Sequence, residues 1–165
     1  MKKQILSIIV MFCMAFCFIP AAAYADTSGE NVITIDVGGA NADNENYKID
    51  DTRIILRVKD TVTYELTGTT DKKISIWGSN NAEDIDKAFY IRANNVSVGG
   101  GIVVQNSPVK MVLEVPEGTD NSIDTVTAND LTISGSGTLR ARTLNVTQKT
   151  SYMPSALQIR DTNII

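Results

Sequence analysis

The chain has 165 residues, 43% of them hydrophobic and 6% aromatic, with 15 basic and 19 acidic side chains, two cysteines and no histidine. Without histidine, imidazole general bases, imidazole metal ligands and the usual serine triads are excluded. The acidic balance argues against nucleic acid, which recruits basic patches.

Residues 1–25 read as a secretory signal peptide, not as fold. Lys2 and Lys3 give a basic start, Ile5 to Ile19 an apolar stretch, and Ala23-Tyr24-Ala25 a small-x-small cleavage site before Asp26. The stretch is too short for a membrane span, so no insertion is expected after cleavage. Phe12 and Phe16 precede Cys13 and Cys17, where a lipoprotein signal needs a small residue. Both cysteines fall in this leader, leaving a mature chain with no thiol, no disulfide and no cysteine nucleophile. Loss of Lys2 and Lys3 leaves 13 basic against 19 acidic residues, a net charge of −6. The expected location is outside the cell or on its surface.

From Asp26 onward, strand formers dominate: 15 Ile, 13 Val and 17 Thr stand against 7 Leu and 2 Met. No stretch carries a helical stripe, whereas period-2 runs recur at Val32–Val37, Ile54–Val58, Val62–Leu66, Val109–Val115 and Leu131–Ile133. Residues 26–53 read as an N-terminal capping strand followed by a polar surface loop, Gly38–Asp51, covering an exposed strand edge. Residues 54–165 read as stacked coils, because apolar positions return every 20 or 22 residues. Ile76 maps onto Val98, Ile91 onto Leu113 and Ile133, Val104 onto Val126 and Val146, and Leu139 onto Ile159. Even steps keep an inward side chain inward. The fold expected is all-β, a right-handed parallel β-helix in which each coil buries its apolar edge on the next. A β-sandwich is the runner-up, disfavoured by the absence of Asn-Gly and Asp-Gly hairpin turns. The chain ends soon after a coil strand at Asp161–Ile165, which suggests a truncated coil and further modules C-terminal to it.

Leu131-Thr-Ile-Ser-Gly-Ser-Gly-Thr-Leu139 resembles an element of secreted bacterial parallel β-helix proteins of the carbohydrate-binding-domain-containing family. Tyr64–Thr70 with Ile74-Ser-Ile76 is similar to the opening coil of that family, and Val109–Val115 with Asn121-Ser-Ile123 to its middle coil. The likeness spans roughly Ile54 to Ile164. It implies binding of plant-type, often acidic, polysaccharide, sometimes with calcium, and fixes no ligand residues.

Candidate binding residues follow from strand phase. With Ile74 and Ile76 inward, Trp77 faces outward and can stack on a sugar ring, or else packs under the N-terminal segment or the Ser79–Lys87 loop. Tyr90 and Arg92 flank inward Ile91 and face outward as neighbours of Trp77, or else form a solvated strand face. Arg140 and Arg160, 20 residues apart with Arg142 nearby, can stack as a carboxylate-reading strip, unless surface carboxylates such as Glu114, Asp130 or Asp161 neutralise it. Asn80, Glu83, Asp84 and Asp86, beside Asn81, offer hard oxygens for calcium, although they match no EF-hand and a solvated acidic loop is the alternative. Gly99-Gly-Gly101 lacks the lysine and helix of a phosphate loop and reads as a corner with positive φ. The function expected is a non-catalytic polysaccharide-binding module. The alternatives are a structural or adhesive stalk and, third, a polysaccharide lyase, for which no tight carboxylate pair recurs on one face.

Overall fold

A computed structural model describes residues 31–40, 43–59, 62–77, 88–105, 109–152 and 156–164. The stretch read as a signal peptide with its cleavage site, and the acidic stretch with Asn80, Glu83, Asp84 and Asp86, lie outside the described residues.

All regular structure among the described residues is β, as the abundance of β-branched side chains requires. Eleven strands form one curled, mixed sheet: β1 (Asn31–Asp36), β2 (Tyr47–Ile49), β3 (Arg53–Arg57), β4 (Val62–Thr70), β5 (Lys73–Trp77), β6 (Ala88–Val98), β7 (Ile102–Gln105), β8 (Lys110–Val115), β9 (Asp120–Gly135), β10 (Thr138–Tyr152) and β11 (Ala156–Ile164). One path runs β1-β4-β6-β8-β9 and another β2-β3-β5-β7-β9. Every described pairing is parallel except β2 with β3. Parallel pairing of sequence-distant strands is not how a sandwich of antiparallel hairpins is assembled. The antiparallel β2 falls within the stretch read as a polar loop. Asn44 starts it, its Oδ1 accepting from the amides of Asn46 and Tyr47, and Asp50 Oδ1 ends it by accepting from those of Thr52 and Arg53.

The curl is visible in the burial pattern. Along β9, Asn121, Ile123, Val126, Ala128, Leu131 and Ile133 are buried, but the alternation breaks at Asp124-Thr125 and at Asn129-Asp130, where two successive residues leave the core. At each break the strand changes partner. Ser122–Ile123 pair with β6, Val126–Thr127 with β7, and Asp130–Gly135 with β8. The same break occurs in β6 at Asn94-Asn95, where Asn95 takes φ 54°, a left-handed conformation asparagine tolerates. The chain therefore turns corners inside continuous strands.

Ile76, Ile91, Val98, Leu113, Val126, Ile133, Leu139 and Val146 are buried as expected and Val104 is half-buried against the core, but their partners differ. Ile91 pairs with Leu113 and Leu113 with Ile133, as the spacing predicts. Ile76 pairs with Val104 and not Val98, which pairs with Ile123. Val126 pairs with Ile102 and Leu144, where Val104 and Val146 were expected, and Leu139 with Leu157 in place of Ile159. The reason is unequal length. Partners are 28 residues apart at Ile74/Ile102, 22 at Ile91/Leu113, 20 at Leu113/Ile133 and 18 at Ile123/Ala141.

Two tight approaches fix the turns. Gly135 has φ +99°, and a Cβ there would lie 2.1 Å from the Val115 carbonyl oxygen. Gly101 has φ +77° against the carbonyl of Thr125, the positive-φ corner expected of Gly99-Gly-Gly101. Inside the curl, Asn121 is fully buried. Its Oδ1 accepts from the Val96 amide at 3.0 Å, and its Nδ2 donates to Thr119 Oγ1 at 2.8 Å and to the Thr138 carbonyl. Tyr64, also buried, stacks on Phe89 with centroids 5.2 Å apart and donates its hydroxyl to the Arg57 carbonyl at 2.8 Å.

Candidate ligand-binding face

The parallel register lines outward residues of successive strands into columns, at a spacing of about 4.8 Å. Across β1, β4, β6, β8 and β9, one column holds Val32, Thr63, Tyr90, Val112 and Thr132. Two residues along each strand stands a second column: Thr34, Glu65, Arg92, Glu114 and Ser134. Between them lie Ile33, Tyr64, Ile91, Leu113 and Ile133, which face the core. The first column is largely methyl and ring; the second is polar and charged.

The polar column is knitted together. Thr34 Oγ1 donates to Glu65 Oε2 at 3.0 Å, Asn94 Nδ2 to Glu65 Oε1 at 3.2 Å, and Arg92 Nε to Glu114 Oε2 at 2.8 Å. The Arg92 and Glu114 side chains are 20% and 34% exposed, so this pair is partly withdrawn from water. In the apolar column Val32 is 40% exposed and Tyr90 half-buried, while Thr63 is buried, its hydroxyl without a hydrogen-bond partner.

Of the residues singled out from sequence, Tyr90 and Arg92 lie side by side on this face. Trp77 does not join them. It is 49% exposed at the end of β5, in register with Arg57 and Gln105, on a strand that pairs with β3 and β7 and not with β6. Ser75, which strict alternation would turn outward between Ile74 and Ile76, is buried. The arginine strip is not formed as expected. Arg140 pairs with Gln158, and the flanking pairs Ala141/Ile159 and Thr143/Asp161 set Arg160 opposite Arg142. Arg140 is ion-paired to Asp120, and Arg142 Nη2 to Asp124 Oδ2 at 2.6 Å. Sequence reasoning considered neutralisation by other carboxylates and missed both of these, which reach across from the preceding strand.

Glu65 was not singled out from sequence. It lies 27 residues before its partner Arg92, an odd step that a strict period-2 rule would place on the opposite face. Glu114, one 22-residue step beyond Arg92, was within reach of the spacing. Among the described residues there is no group of three or more Asp, Glu, His or Cys side chains placed to hold a metal, and no helix long and apolar enough to cross a membrane. No family model, curated protein or solved structure matches the chain.

Proposed function

We propose that the chain is a non-catalytic module, exported by cleavage after Ala25, that binds polysaccharide along the outside of a right-handed parallel β-helix. The observation that carries this reading is the pair of columns: an apolar one through Tyr90 beside a polar one through Arg92. A sugar ring has the same two-sided chemistry, with C–H faces that pack on an aromatic side chain and a rim of hydroxyls that bond to charged groups. The repeat along the columns suits a repeating polymer better than a small molecule. Each contact is weak, and engagement of several strands by one chain raises the total. The parallel crossings, with corners inside β6 and β9, support the β-helix within the curled sheet.

The test is electrophoresis through native gels containing soluble polysaccharides. The protein is expected to be retarded by at least one of them, and Tyr90→Ala to restore free migration while leaving the far-ultraviolet dichroism unchanged. Trp77→Ala, on another column, probes a separate stacking point. Unretarded migration through every polysaccharide removes this reading and favours a structural stalk. New unsaturated or reducing ends on incubation would instead mark a lyase or hydrolase.

A further inference from the structure

Resting on that reading, we infer that the polymer is a neutral polysaccharide lying across strands β6 and β8, and that acidic polysaccharides are excluded from this face. The polar column carries two carboxylates, Glu65 and Glu114, around one guanidinium, Arg92, all in register on adjacent strands. Arg92 already donates to Glu114 at 2.8 Å with both side chains partly buried. A uronate carboxylate brought to Arg92 would share a guanidinium that Glu114 already neutralises, and it would stand between two carboxylates, Glu114 and Glu65, on a partly withdrawn surface. Elsewhere on the described surface, Arg53, Arg140 and Arg142 are committed in the same way, to Asp50, Asp120 and Asp124. With the mature chain at net −6, a polyanion meets repulsion at long range too.

A neutral sugar meets none of this. Its hydroxyls donate to carboxylate oxygens, each of which accepts more than one hydrogen bond, so Glu65 can keep Thr34 and Asn94 while taking a ligand. The ring face then falls on Tyr90, with the Val112 methyls continuing the surface on the next strand.

The experiment compares retardation of the full chain by neutral polymers (β-glucan, galactomannan) and acidic ones (polygalacturonate, alginate), all with chelator present and again with calcium. Retardation by a neutral polymer that survives high salt, with none by the acidic polymers, is the expected result. Retardation by an acidic polymer, with calcium or without, overturns the inference while sparing polysaccharide binding itself. Failure with both classes removes the underlying reading. A second variant keeps the assignment to this face testable: Glu65→Lys with Glu114→Gln should lose the neutral polymer and gain the acidic one, its thermal melt confirming a folded chain. Unchanged preference in that folded variant places the binding elsewhere and overturns the inference.

Discussion

Arg92 and Glu114 stand directly opposite each other on β6 and β8, and the guanidinium Nε reaches the carboxylate Oε2 at 2.8 Å. The pair spans the middle of the candidate face and joins two passes of the chain 22 residues apart. Because both side chains keep some contact with water, the bond contributes modestly. A double-mutant cycle with Arg92→Ala and Glu114→Ala, followed by urea unfolding, should give a coupling of up to about 1 kcal/mol that shrinks with added salt.

Gly135 and Gly118 separate two effects that are often confounded. Both have positive φ, but a Cβ at Gly135 meets the Val115 carbonyl oxygen at 2.1 Å, whereas at Gly118 nothing lies within 4 Å. Gly118→Ala should cost about 1–2 kcal/mol from backbone conformation alone. Gly135→Ala should cost more than that, and it should lower the unfolding midpoint further in the same urea titration.

Asn121, near the start of β9, is buried and bonded to Val96, Thr119 and Thr138. Asn121→Leu leaves the Val96 amide without the acceptor it now has. A loss of about 1–3 kcal/mol is expected from stranding that group. Asn121→Asp, which keeps the acceptor but replaces the donating amide nitrogen, tests whether the bonds to Thr119 Oγ1 and Thr138 matter as well.

Burial pushes the Tyr64 phenol up from 10.0 to about 12, a shift the nearby Arg57 charge partly opposes. The folded state therefore holds this proton more tightly than the unfolded chain. Its stabilising effect is complete below pH 10 and is lost as pH rises from 10 towards 12. Unfolding free energy should fall over that interval in the native protein and fall less in Tyr64→Phe. Asp50 acts at the other end of the scale. Its bond to Arg53, with those from Thr52, holds its carboxyl well below the usual range, so its contribution is present at neutral pH and is lost progressively as pH falls below 3.8.

The sequence spoke more clearly about faces than about partners. Ile76, Val98, Val126 and Val146 are all buried, as their alternation predicts, yet neither Ile76/Val98 nor Val126/Val146 is a pair. Facing depends on the local period of 2, which is written in adjacent residues. Pairing depends on the length of each pass, which is set by turns whose extent leaves no hydrophobic trace. The 28-residue separation of Ile74 and Ile102 spans the polar stretch 78–87, so the step of 22 fails there and succeeds at Ile91/Leu113. Tyr90 and Arg92 were legible because they flank one buried isoleucine. Glu65 was not, since its 27-residue step to Arg92 is odd, and strict alternation would put the two on opposite faces. The antiparallel β2 was hidden by composition: Tyr47-Lys48-Ile49 sits among asparagines and acids that read as loop.

The corners at Asn94-Asn95, Asp124-Thr125 and Asn129-Asp130 also bear on how such a chain can change its length. Within a straight strand, one inserted residue would invert every side chain beyond it and expose the core. At a corner the alternation is already broken, so a gained or lost residue is absorbed where two side chains already face water. Variation in length can collect at these joints while each straight segment keeps its inside and its outside. Passes separated by 18, 20, 22 and 28 residues can thus stack in one molecule without any of them losing its place in the core.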